Sequence, residues 1–270
     1  AFVSVIFAGC AHYDNELVPK VEVSDITITS LPVPIGEGEK IYAFARPDFV
    51  SLSSPVYAEQ TGDMTFAFDR WPDSCVPAYA LYDYVNGAPY DGASINEKEI
   101  TAALPTFQKD CPDILAGPVE PGIGNAWQVR LLPVCARLKM SFSNHDDIAS
   151  FSVFSAQGKP LTGDISISLE SLDALKPEIS VKNAVDSVAR LSVSKAFARG
   201  EFTLTVLPSE EFTPVLWFTD TLGRRVTMKY EDIFTLSPGS VVEIPARIKS
   251  PASSASGRSV EVRIQTAAIG

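Results

Sequence analysis

The stretch "TPVLWFTDTLGRRVTMKY", residues 213–230, decides the fold class. Val215, Trp217 and Thr219 alternate with Leu216 and Phe218, and after an interruption Val226, Met228 and Tyr230 alternate with Thr227 and Lys229. A period of two belongs to β-strands, whose successive side chains point to opposite faces. Asp220, Thr221, Leu222 and Gly223 stand between the two runs and have the composition of a turn. The stretch reads as two strands and a turn. Trp217, alternating with Val215 and Thr219, is expected in the core, where aromatics fill sandwich interiors.

The same signature extends in both directions. "KVEVSDITITSL" (20–31), "KIYAFARP" (40–47), "MTFAFDRW" (64–71) and "AWQVRLLPVCARLKMSF" (126–142) alternate β-branched and aromatic residues with polar ones, punctuated by Pro and Gly. "ASFSVFSAQGKPLTGDISISLES" (149–171) reads as two strands around a Gly-Lys-Pro turn, and "VARLSVS", "GEFTLTVLP" and "GSVVEIPARI" as further strands. No segment keeps a capped helical period over several turns; "SINEKEITAAL" (94–104) is expected to hold one turn of helix at most. Phe151, Val153, Ile165 and Ile167 should face inward on two neighbouring strands. The fold class is therefore all-β.

A chain of 270 residues, 46% hydrophobic, has length for two sandwich domains, at about 100 residues each. The boundary falls near Pro133-Val134-Cys135-Ala136, because long punctuated loops such as "NGAPYDGAS" and "CPDILAGPVEPGIGN" precede it and short regular spacing follows. The division is 1–20 leader and tether, 21–135 N-terminal sandwich, 136–250 C-terminal sandwich, and 251–270 linker and terminal strand. In that last part "SPASSASG" has linker composition, and Val260, Val262 and Ile264 then alternate with Glu261, Arg263 and Gln265. This strand either closes its own sandwich or is donated to another molecule.

A formal charge of −11 argues against nucleic acid and anionic lipid surfaces as partners, since both would repel it. Cys10, Cys75, Cys111 and Cys135 include no close-set pair, so a zinc site is not expected, and no cofactor is implied. The opening "AFVSVIFAGC" (1–10) is an apolar run that leaves through small residues to a cysteine, the pattern of a lipoprotein signal. Cys10 is the expected lipidation site, an anchor to the outer membrane and not a membrane span.

"MTFAFDRWPDSCVPAYALYDYVNGAPYDG" (64–92), "LPTFQ" (104–108), "PVCARLKMSFSN" (133–144), "FSVFSAQGKPLTGDISISLES" (151–171) and "LWFTDTLGRRVTMKY" (216–230), in this order and spacing, resemble the fimbrillin-like lipoproteins of Bacteroidales. The resemblance runs from about Ile41 to Ile248. It implies two tandem transthyretin-like β-sandwich domains, export to the cell surface, and a pilus subunit whose partners are other subunits joined by strand exchange. A host or bacterial surface receptor is a further candidate partner. Family subunits are commonly cut after a basic residue near the first strand. Arg46 is followed by Pro47, which makes a poor cleavage site, and Lys20 and Lys40 are the alternatives. An uncut subunit would suit an anchor role; stalk and tip stay open.

Enzymatic readings find little support. "SNHDD" (143–147) gathers Asn144, His145, Asp146 and Asp147 but reads as a polar turn. No GxSxG elbow accompanies it, and Glu210-Glu211 and Glu231-Asp232 read as solvated surface. The stronger rival is carbohydrate binding through Trp71, Trp127, Trp217 and the tyrosines Tyr79, Tyr82, Tyr84 and Tyr90. Such a module should show two or three coplanar aromatics in a polar cleft.

Overall fold

The computed structural model describes residues 25–30, 35, 38–45, 55–62, 64–71, 75–85, 88–108, 112–123, 126–142, 148–186, 188–192, 200–220, 225–246 and 260–264. In the first half the strands are β1 (Asp25–Ser30), β2 (Lys40–Ala45), β3 (Val56–Gly62), β4 (Thr65–Phe68), β5 (Pro77–Val85), β6 (Ala88–Pro89), β7 (Ser94–Ile95), β8 (Glu99–Leu104), β9 (Phe107–Gln108), β10 (Ile114–Pro121), β11 (Ala126–Arg130) and β12 (Leu132–Pro133). In the second half they are β13 (Ala136–Phe142), β14 (Ile148–Ser155), β15 (Thr162–Ser168), β16 (Ile179–Asp186), β17 (Val188–Ser192), β18 (Gly200–Val206), β19 (Ser209–Phe212), β20 (Pro214–Asp220), β21 (Arg225–Tyr230), β22 (Phe234–Leu236), β23 (Val241–Ala246) and β24 (Val260–Ile264). One short helix, α1 (Leu169–Asp173), interrupts them. The chain is all-β, as the alternation predicts.

The strands form a nine-stranded sheet (β12-β10-β11-β1-β4-β3-β2-β5-β6), a six-stranded sheet (β24-β21-β20-β14-β17-β9), a four-stranded sheet (β16-β15-β8-β7), a three-stranded sheet (β18-β13-β23) and the pair β19-β22. Three buried clusters lie among them. One is built within the nine-stranded sheet's half, around Ile26, Ile28, Phe66, Trp71 and Tyr82. Another fills the space between the three-stranded and six-stranded sheets with Leu138, Met140, Phe151, Val153, Phe202, Leu216, Phe218 and Met228. The third is shared: Tyr42, Phe44, Tyr79 and Leu81 of the nine-stranded sheet pack with Ile100, Leu104, Ile165 and Ile167 of the four-stranded sheet and with Leu169 and Leu172 of α1.

Hydrogen bonding crosses the middle of the chain. β8 pairs antiparallel with β15 from Gly163↔Leu104 to Ser168↔Glu99, and β9 pairs parallel with β17. Gln108, buried, donates from Nε2 to the Thr205 carbonyl at 2.7 Å and accepts from the Thr205 N–H at 3.0 Å. One amide side chain thus satisfies both main-chain groups of a residue on β18, a partnership that buried polar groups require.

Two local expectations fail. "SINEKEITAAL" holds strands β7 and β8 and no helical turn. Asn96 Oδ1 accepts from the main-chain N–H of Lys98 at 2.8 Å and of Glu99 at 3.1 Å, which closes a turn and starts a strand. Ile100, Ala102 and Leu104 then bury on alternate positions. Secondly, β14 and β15 are strands but not a hairpin. β17 and β20 occupy both sides of β14, so the chain must leave that sheet. The connection is pinned to the start of β20 by Gln157, which accepts from the Thr213 N–H at 3.0 Å and donates to its hydroxyl at 2.7 Å. Phe151, Val153, Ile165 and Ile167 are all buried as expected, yet the first two lie in one core and the last two in another.

Candidate functional site

The β20–β21 ladder runs from Val215↔Lys229 to Thr219↔Arg225, with Leu216, Phe218, Met228 and Tyr230 buried beneath it. On its outer side lies β24, parallel to β21, whose register sets Val260, Val262 and Ile264 opposite Val226, Met228 and Tyr230. β24 is the last strand of its sheet on that side. β24 therefore covers an edge whose neighbour lines a hydrophobic core, the condition under which an edge accepts or releases a strand. Residues 247–259, which lead to it, lie outside the described residues.

The remaining expected site residues are spread out. Lys40 opens β2, and its ammonium pairs with the Glu59 carboxylate on β3. Cys10, Lys20, Arg46, Cys111 and "SNHDD" lie outside the described residues. Cys75 and Cys135 are buried in different clusters, and the Trp71 indole donates to the Cys75 carbonyl at 2.9 Å. Glu210 and Glu211 are exposed and, with Lys159, Pro160, Val181, Pro208 and Ser209, line an open groove of about 470 Å³. Glu231 is exposed and Asp232 half-buried. Among the described residues no group of three or more His, Cys, Asp or Glu is placed to hold a metal ion, and no helix is long and apolar enough to cross a membrane.

Trp217 corrects an expectation. It is 37% exposed on the outer face of the six-stranded sheet, with its ring 4.3 Å from Phe154 and tilted by 50°. The alternation was right in period but the opposite set, Leu216 and Phe218, faces the core. Across the sheet the register aligns Thr227, Trp217, Ser152, Arg190 and Phe107 in one row. At its end the Arg190 guanidinium lies 5.4 Å from the Phe107 ring centroid, a cation–π contact. These aromatics stand on a sheet face, not in a cleft.

Sequence reasoning overlooked Asp83. It is wholly buried within "YALYDYV", and a charged residue inside an aromatic strand was the available signal.

No family model matches the chain, and no curated protein matches it in sequence. Solved structures do. A protein from Bacteroides ovatus aligns with TM-score 0.55 and 10% identity, over 88% of this chain and 95% of that one. Another, from Bacteroides uniformis, aligns with TM-score 0.52 and 12% identity, over 86% of this chain and 94% of that one. Both are described as a "putative cell adhesion protein". The likeness is one of fold across nearly the whole length.

Proposed function

We propose that the chain is a non-enzymatic structural subunit of a cell-surface fimbria, assembled by β-strand exchange and contributing to adhesion. Its halves, 21–135 and 136–250, act as two tandem transthyretin-like sandwich units. Cys10 carries the lipid that anchors the protein in the outer membrane, and Lys20, Lys40 and Arg46 are the candidate processing sites. One observation carries the reading: β24 follows a Ser- and Ala-rich segment and lies along an edge backed by Met228 and Tyr230. Moving such a strand between molecules buries Val260, Val262 and Ile264 at roughly 1.5–3 kcal/mol each, with ladder hydrogen bonds in addition.

Deleting Ser259 to Gly270 tests it. A donated strand predicts that the truncated monomer melts like the full chain but fails to join a subunit with an open edge. A lowered melting temperature in the isolated monomer would assign the strand to its own sheet and defeat donation. A second reading, surface carbohydrate binding, keeps among the described residues only the half-exposed Trp217 of its expected aromatics on an open sheet face, without the cleft it calls for, and is tested by glycan binding of the isolated chain.

A further inference from the structure

Asp83 has no exposed surface, and neither of its carboxyl oxygens has a hydrogen-bond partner among the described residues. An unpaired buried carboxylate is costly enough that the group neutralises instead. Its position makes that neutrality matter. Tyr79 and Leu81 on β5 face the shared core, and Asp83 continues the same face two residues on. Across from it is β8, covered by β7 only at Ile100 and Thr101. The main-chain N–H of Ala103 approaches Asp83 and favours its ionised form, but not in hydrogen-bonding geometry, and burial outweighs it.

Among the described residues the surrounding groups supply no balancing cation. Tyr90, held by its N–H to the Asp83 carbonyl at 3.2 Å, has its phenol pushed up by burial, then by Asp164, then by Asp83. Asp164 on β15 accepts from Asn183 at 2.9 Å. On β10, Ile114 stands opposite Asp83, and the neighbouring Asp113 already pairs with Arg137. On β8, Glu99 already pairs with Lys182.

We propose that Asp83 is a proton-operated latch between the nine-stranded and four-stranded sheets: neutral, it packs into their shared core; ionised, it gives its proton to water and loosens the seam. Burial pushes the closed-state carboxyl up from 3.8 to about 8. A carboxyl raised by closure stabilises the closed form fully below its ordinary value and loses that stabilisation as pH rises. The closing equilibrium should weaken about tenfold per pH unit between those two values and level off beyond the upper one.

The test is hydrogen exchange of the full chain between pH 5 and 9, corrected for intrinsic rates and read at β5, β8 and β15. Protection there should fall about tenfold per pH unit up to about pH 8, while Asp83→Asn, always neutral, should show no such slope. Wild-type protection independent of pH, or the same slope in the variant, overturns the latch. Carbon-13 titration of the aspartate carboxyls gives an answer without a variant: a resonance titrating near 8 supports the proposal, and titration of every aspartate in the ordinary range refutes it. Recovery of wild-type protection by calcium at pH 8 would identify a cation site in place of a latch and also overturn it.

Discussion

Val153 and Ile167 are each wholly buried, in cores that do not overlap. An unpaired charge cannot be accommodated at either, so Val153→Asp and Ile167→Asp should each cost roughly 4 kcal/mol or more. The damage should differ in place. Circular dichroism with limited proteolysis should show Val153→Asp opening the second half first, and Ile167→Asp releasing β5 and β8 as well. A soluble Val153→Asp protein with unchanged melting would contradict the inward placement. At this scale the sequence was legible in period and less so in face. For Phe151 and Val153 the intervening Ser150 and Ser152 mark the solvent side, so the inward set was readable. Around Trp217 both sets are largely apolar, and only the packing of Phe151 against Phe218, with ring centroids 5.4 Å apart, fixes which side is inside.

Helix α1 shows what a short element owes to its cap. With five residues it cannot be stable alone; Ser168 accepts from the Ser171 N–H at 3.3 Å, while the Ser171 hydroxyl returns to the Ser168 carbonyl at 2.7 Å. Leu169 and Leu172 then reach the shared core. Ser168→Ala should cost about 1 kcal/mol, visible as a reduced denaturation midpoint at unchanged slope. A change too small to measure would mean that burial of the two leucines alone holds the helix. The strand–helix decision was partly legible in advance. "EITAAL" contains good helix formers, but its apolar residues recur every second position, and pairing with β15 makes that period decisive. Which strands would pair was not legible, since β8 and β15 meet across 57 intervening residues, from residue 105 to residue 161. Local sequence carries no signal for such a partnership.

The shared core makes the two halves depend on each other. Ile100→Ala, in the strand lent by the first half, should cost about 2–5 kcal/mol. It should lower one common calorimetric transition and not split it. Two resolved transitions, only one of them moved, would show the halves melting independently. Fold class was legible because alternation pervades the chain; the sheet that joins the halves was not, since a boundary drawn from loop composition near residue 135 carries no information about pairing across it. That crossing pairing has a consequence in time. A chain that emerges from its N-terminus presents β7 and β8 long before residues 162–168 exist to cover them. During synthesis, the ribbon at 94–104 waits with an open ladder of main-chain donors and acceptors. Whatever escorts the nascent chain must shield that ribbon until the second half arrives.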